Sequence, residues 1–365
     1  PDVFKSPVEK EKYYMTACTE RARCILMESR FPEGPFSHPK LMTIGGEPVK
    51  EIDPSVLVDD DGKVYIALPN FYVGQLDPSD YSKIIPETYH SVRDSMPLDN
   101  EPFEGPSLKK RMGIYYYIYI QNKGKIETNG AVPVRMAYMT SKNPLGPYTY
   151  RGCILDTYDY PGSGNVHGSF AQFNGNWYLS YHMAVPDLQL TRNACLDKLE
   201  FNLDGTIREV LPTSSGAKGG FEVNETIQAS GGVIFSGGRN DIRLRTRKEP
   251  TENPYVFHIT GYPYTVYEKP EEWIGYRYLN FSKRIKNVCV SVKTEAAGAV
   301  LEIRKGACDG KLIAEFYLPD TNGSWQTIKN KASSTEDGTD TFFIIMKEKP
   351  GKGEVGVDHL IFTVD

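Results

Sequence analysis

The strongest constraint on this chain is a repeat in its first half. "PDVFKSPVEKEKYYM" starts at Pro1, "IDPSVLVDDDGKVYI" at Ile52, "FEGPSLKKRMGIYYYIYI" at Phe103 and "VHGSFAQFNGNWYLSYH" at Val166. Each opens with one ionisable residue: Asp2, Asp53, Glu104 or His167. A short apolar run, a polar turn and an aromatic run follow. The step is 12 residues for Asp2 to Tyr14, Asp53 to Tyr65 and Glu104 to Tyr116, and 11 for His167 to Tyr178. The lead residues themselves stand 51, 51 and 63 apart. Periods of roughly 40 to 50 residues made only of strands predict a β-propeller, with one small sheet per blade. "VRMAYMTS" and "NACLDKLEFNLDGTI" supply further strands. No segment holds a helical period over about 11 residues or more.

Blades surround a common axis, so equivalent positions point at one central region. An Asp before Pro-Ser is, on its own, a turn cap. Its recurrence as Asp53, Glu104 and His167 weakens that reading. Carboxylates that share a pocket repel, which keeps one of them protonated near neutral pH, and glycoside hydrolysis uses such a pair. Binding of a hard cation is the rival use. Asp59-Asp60-Asp61-Gly62 lacks the downstream Glu of a calcium loop and reads as a hairpin turn. No GxSxG elbow, P-loop or GxGxxG is present, and of six His only His167 falls on the repeat.

The 365 residues carry a net charge of −5. Nothing in this balance suggests a basic footprint for nucleic acid or a polybasic membrane patch. No apolar run reaches the roughly 20 residues of a membrane span. No signal peptide is visible from Pro1, and a removed leader or upstream segment stays open. Six Cys without CxxC pairing argue against a disulfide scaffold and structural zinc. Cys18 and Cys24 flank a turn, as a bridge or as free thiols. The 24 Tyr suit β-sheets and sugar-binding surfaces alike.

Composition shifts at "PTSSGAKGGFEVNE", Pro212 to Glu225, a linker signature. The alternating runs "NVCVSVKT", "AVLEIRKG", "KLIAEFYL" and "TFFIIMKE" then predict an antiparallel sandwich. The expected fold is all-β: a propeller over 1–215 and a C-terminal β-sandwich (jelly roll) over 222–365.

The ordered motifs "PDVF…KYYM", "IDPSVLVDDDGKVYI", "EGP…KRMGIYY", "HGSF…GNWYLSYH" and "RNACLDKLEFNLDGTIREVLPT" resemble glycoside hydrolase family 43, from Pro1 to about Thr213. The resemblance implies a five-bladed propeller and inverting hydrolysis of xylose or arabinose linkages in xylan, arabinan or arabinoxylan, by a secreted, periplasmic or cell-surface enzyme. Glu104 matches the general acid. Asp53 matches the carboxylate that raises the acid's pKa and orients it. His167 matches an axial histidine near a water-bound Ca²⁺ or Na⁺, Arg192 a substrate-orienting arginine, and Asp2 a second-blade carboxylate that is more often structural. Family members carry the general base, an Asp, in a blade preceding "PDVF". The propeller expected here is thus N-terminally incomplete, with exposed sheet edges that a second chain or an upstream segment would complete. Asp2 as a substitute base stands in the wrong blade.

The second half resembles carbohydrate-binding module family 6 through "EEWIGYRYLNF", "GAVLEIRKG…GKLIAEFYLP", "TNGSWQTI" and "VGVDHLIF". Trp325 matches its sugar-stacking aromatic or else is a core residue. Tyr264 and Tyr267, in an inserted loop, are candidates to complete a stacking pair. The Glu-x-Glu strand that helps hold a structural Ca²⁺ reads "IQAS" here, with Asp358 retained. The Asn that bonds sugar is replaced by Val355 or Gly356. Three functions compete: an inverting glycoside hydrolase with an appended sugar-binding sandwich, a catalytically incomplete glycan-binding protein, and a member of a related five-bladed hydrolase family.

Overall fold

The structure is a computed structural model and describes residues 1–93, 101–102, 104–122, 134–156, 166–185, 188–236, 255–257, 264–295, 297–349, 351 and 353–364. Among these the chain is all-β, with short 3-10 turns such as Pro86–Thr88 and no α-helix. Among the described residues no helix is long and apolar enough to cross a membrane.

The first half folds into four small sheets in chain order. The first holds strands Asp2–Lys5, Tyr13–Cys18, Cys24–Ser29 and Ser37–Leu41. The second is built on Ser55–Val58, Val64–Leu68, Tyr72–Asp77 and Asp80–Ile84. The third holds Ser107–Arg111, Ile114–Asn122, Val134–Ser141 and Thr149–Asp156, and the fourth Gly168–Phe173, Asn176–Val185 and Leu188–Lys198.

Strand alternation explains why these sheets stack around an axis. In "IYYYIYI", Tyr115, Tyr117 and Tyr119 pack with Tyr65, Phe71 and Val73 of the second sheet. Tyr116, Ile118 and Ile120 pack with Phe170 and Leu179 of the fourth. Successive side chains of a strand face opposite ways, so a strand that is apolar on both faces must lie between two partners. Phe4, Tyr14 and Leu26 pack likewise with Val56, Ile66 and Leu76, joining the first sheet to the second.

The acidic turn is a hairpin, with Asp59 N donating to Lys63 O at 2.8 Å and Gly62 at φ 80°. It also clamps the neighbouring sheet. Asp59 accepts from Tyr115 Oη at 2.5 Å and from Lys110 Nζ, and Asp60 accepts from Lys110 Nζ at 2.8 Å. Burial opposes ionisation of Asp59, but these donors more than offset it and hold its pKa below the ordinary value.

The second half is a sandwich. One sheet orders Tyr255–Phe257, Tyr264–Tyr267, Val355–Thr363, Asn287–Thr294 and Gln326–Lys331, with Ile227–Gln228 also on Val355–Thr363. The other orders Ile234–Phe235, Trp273–Phe281, Gly338–Glu348, Ala299–Lys305 and Lys311–Leu318. Tyr276, Val290, Leu301, Phe316, Phe342 and Phe362 are among the side chains of its core. Tyr264–Tyr267 is a strand, which corrects the expectation of a loop with two stacking rings. Residues three apart in a strand face opposite ways. Tyr267 is fully buried, its hydroxyl on Ile344 O at 3.4 Å, and it cannot stack on sugar.

The Ser/Gly-rich segment is no free tether. Arg277 N donates to Ser214 Oγ at 3.0 Å, Phe221 N donates to Tyr278 O at 2.7 Å, and the Phe221 ring enters the sandwich core. None of the six cysteines is in a disulfide, including Cys18 and Cys24, which face each other across a strand pair.

Candidate active site

The innermost strands of the four sheets are stitched together by side chains. Ser55 Oγ donates to Asp2 Oδ2 at 2.8 Å, and Val56 N donates to the same oxygen at 3.1 Å. Leu108 N donates to Ser55 Oγ at 3.1 Å, and Ser107 Oγ donates to Ser169 Oγ at 2.9 Å. This chain of bonds crosses from the first sheet to the fourth around the axis. The sequence reading did not single out these serines, although "DPS", "GPS" and "HGS" place one two or three residues after each of three lead residues.

Beside this chain of bonds lies a cavity of about 390 Å³, lined among others by Asp2, Asp53, Ser55, Ser107, His167, Ser169, Tyr181 and His182. Its size falls in the range of small-ligand sites. Asp53, His167 and Asp2 therefore share one hollow. Glu104 is half-buried and is not among the lining residues, but Pro106 and Ser107, which follow it closely, are. Gly105 explains the local path. It has φ 66°, and a Cβ there would stand 3.2 Å from His167 Cδ2 and 3.0 Å from Ile120 Cγ1. Only glycine lets the chain carrying Glu104 pass this close to the His167 ring.

The lead residues do not stand at one height. Tyr14, Tyr65, Tyr116 and Tyr178 pair with Phe4, Leu57, Lys109 and Ala171. Asp53 and His167 thus precede the tyrosine's partner by four residues, Glu104 by five and Asp2 by two. Asp2 is level with Ser55. Hairpin loops of different length, residues 6–12, 59–63, 112–113 and 174–175, compensate inside a nearly constant sequence step.

Asp53 adopts φ 48° at the mouth of its hairpin. A left-handed Asp is tolerated better than most residues, and such backbone strain concentrates at functional sites. Asp2 is engaged by Ser55, Val56 and its neighbour Val3 N at 3.0 Å, with Lys109 Nζ 3.9 Å away. Behind the cavity, Tyr181 Oη donates to Asp197 at 2.6 Å, and Thr213 N donates to the other oxygen at 3.2 Å. Burial raises the Asp197 pKa in spite of these bonds and of the Arg277 charge from the sandwich.

The side chain of Arg192 lies outside the described residues. Asp358 accepts from His359 Nδ1 at 2.7 Å. No group of three or more His, Cys, Asp and Glu side chains gathers among the described residues. A hard cation takes about six to eight oxygens. Around His167 the protein offers the mutually bonded hydroxyls of Ser107 and Ser169, and the Asp2 carboxylate is already bonded, so the residues present do not fit an all-protein cage.

Residues 8–207 match the model for glycosyl hydrolases family 43. The chain is 26% identical over 372 residues to an arabinoxylan arabinofuranohydrolase of Bacillus subtilis (strain 168), covering 92% of this chain and 69% of that one. It is 24% identical over 384 residues to an arabinoxylan arabinofuranohydrolase of Paenibacillus polymyxa, covering 97% of this chain and 58% of that one. A solved family 6 carbohydrate-binding module from Clostridium cellulolyticum, in complex with xylose, covers 39% of this chain and 99% of its own, at 15% identity and a TM-score of 0.33. With a family model matched across more than half of its length, the chain belongs to glycosyl hydrolases family 43.

Proposed function

We propose that the propeller hydrolyses arabinofuranosyl or xylosyl linkages of arabinoxylan-type polysaccharides with inversion, and that the sandwich binds saccharide. The observation that carries this is the cavity shared by Asp53 and His167, with the Glu104 segment passing beside it. The names of the two relatives that span most of the chain point to arabinoxylan as the substrate class.

In this mechanism Glu104 protonates the leaving-group oxygen, and a carboxylate on the opposite face activates water, the pair standing about 6.5 to 9.5 Å apart. Asp53 orients the acid and, as a neighbouring negative charge, keeps it protonated. Asp2 already accepts three hydrogen bonds and suits the scaffold better than general-base work. We leave the base to a carboxylate other than Asp2, Asp53 and Glu104. Calcium beside His167 would be held through a water shell, and no step runs through it. The working site is secreted, periplasmic or at the cell surface, where polymeric substrate lies.

The test is hydrolysis of arabinosylated and unsubstituted xylo-oligosaccharides by the full-length protein, followed by NMR of the anomeric product. Retention at the anomeric centre, or no turnover of any substrate, would sink the reading. Binding without turnover, by a protein with all three carboxylates in place, would favour a glycan-binding protein instead.

A further inference from the structure

The face of the six-stranded sheet turned away from the sandwich core carries a row of unusual composition. Tyr267, Val292, Val355 and Val357 point into the core. Strand alternation sends Lys293, Gly356 and Tyr264 to the opposite face. Lys293 pairs across to Gly356, and Gln326, which follows Trp325, pairs with Val292. Tyr264, Gly356 and Lys293 therefore lie on three neighbouring strands, with Trp325 just before the start of a fourth.

The two rings meet edge to face, with centroids 5.1 Å apart and planes at 80°. They form a corner rather than two parallel walls. The Lys293 ammonium fills that corner, 4.0 Å from the Tyr264 centroid and 5.1 Å from that of Trp325. It donates to Tyr264 Oη at 2.7 Å. Gly356 makes the arrangement fit. A Cβ there would stand 2.9 Å from Lys293 Cγ and 3.3 Å from Trp325 Cη2. The lysine stem lies across a strand with nothing in its way.

An ammonium has three donors, and the tyrosine hydroxyl takes one. Ring faces attract the charge but accept no full hydrogen bond. Among the described residues no carboxylate forms an ion pair with Lys293. Glu295, two residues on, lies instead 3.4 Å from where a Gly323 Cβ would be. The corner thus presents a partly desolvated positive charge beside a Trp325 that is 43% exposed. A neutral pyranose stacking on Tyr264 would have to displace the ammonium. A sugar that carries a carboxylate meets both features at once: its oxygens take the remaining N–H groups, and its C–H face packs on Trp325.

We propose that Lys293, Tyr264 and Trp325 bind the carboxylate-bearing sugar of an acidic oligosaccharide, a uronic acid residue. This rests on the reading of the sandwich as a saccharide-binding domain and narrows its ligand class. The test is isothermal titration of the whole chain with a glucuronic-acid-substituted xylo-oligosaccharide, the unsubstituted oligosaccharide of equal length, and inorganic sulfate. The acidic sugar should bind at least about tenfold tighter than the neutral one, a difference of about 1.4 kcal/mol. Added salt should erase that preference. Lys293→Met should abolish it, and Trp325→Ala should remove the acid-selective signal itself.

Equal binding of acidic and neutral sugar overturns the proposal and leaves the saccharide-binding reading standing. Absence of any sugar binding, unchanged by Trp325→Ala, overturns both. Sulfate binding as tightly as the acidic sugar marks a general anion site and overturns the proposal as well. The salt series uses the unmodified protein, so a variant that fails to fold does not stop the test.

Discussion

Asp2 and Ser55, from the innermost strands of neighbouring sheets, meet at 2.8 Å, the hydroxyl donating to the carboxylate. Ser55 in turn accepts from Leu108 N at 3.1 Å. Two side chains thereby tie three sheets together beside the cavity. A carboxylate that accepts several donors is a strong acceptor whose loss leaves those donors unpaired. Asp2→Ala should destabilise the propeller by about 2 to 3 kcal/mol. Urea unfolding followed by tyrosine fluorescence would measure it. A variant as stable as the parent would remove Asp2 from the scaffold and reopen its assignment as a base.

Asp53 separates strain from chemistry. Its φ of 48° suits glycine best and a plain Cβ residue poorly. Asp53→Gly should therefore melt at or above the parent temperature, and Asp53→Ala about 1 kcal/mol below Asp53→Gly. Both should lose turnover in the completed enzyme. An active Asp53→Gly would show that the residue serves the turn alone.

Glu104→Gln should lower kcat by about 10² to 10⁴ on natural glycosides, the usual worth of a general acid. The loss should shrink on aryl glycosides, whose leaving groups need no proton. Equal losses on both substrates would point to a structural role for Glu104.

Much of this arrangement was legible in the sequence, for identifiable reasons. The tyrosine run and the strand alternation are local signals, and the four strands first read in the sandwich stand as Asn287–Thr294, Ala299–Lys305, Lys311–Leu318 and Gly338–Glu348. Asp53 and His167 stand at equal offsets from the residue that pairs with their tyrosine, and both line the cavity. The height of Asp2 was hidden, since loop length and strand offset trade against each other within a fixed step. Tyr267 was misplaced because a segment read as a loop is a strand, and alternation then buries it. The meeting of Lys293 with Gly356 depends on cross-strand register, which no local pattern carries.

Gly105→Ala tests how the acid is held. A methyl group at φ 66° would be strained and would press on both His167 and Ile120. The backbone cost alone is about 1 to 2 kcal/mol. If the Gly105 turn positions Glu104, kcat should fall more than the melting temperature suggests, with KM little changed. A stability loss with unchanged kcat would mean that the acid's position does not depend on this turn.

Glu272 predicts an opposite pH signature from that of Asp59. Burial raises its pKa to about 7, against the pull of backbone bonds from Lys269 N and Glu268 N. One carboxyl oxygen accepts both bonds, at 3.1 and 2.7 Å. The other is buried without a partner among the described residues. The native state thus holds a proton that the unfolded chain releases above the ordinary carboxyl value of 4.5. The stability Glu272 contributes is fully present below that value and is lost as pH rises through about 7. The change amounts to at most about 3 kcal/mol. Asp59, with its lowered pKa, works the other way: its contribution is present above the ordinary value of 3.8 and fades as pH falls through the depressed one. Glu272→Gln keeps an acceptor for both backbone donors and cannot ionise. Denaturant unfolding of parent and variant from pH 4 to 8 should show the variant gaining relative stability towards pH 8. A difference that stays flat across that range would mean that Glu272 ionises in the fold as readily as in the unfolded chain.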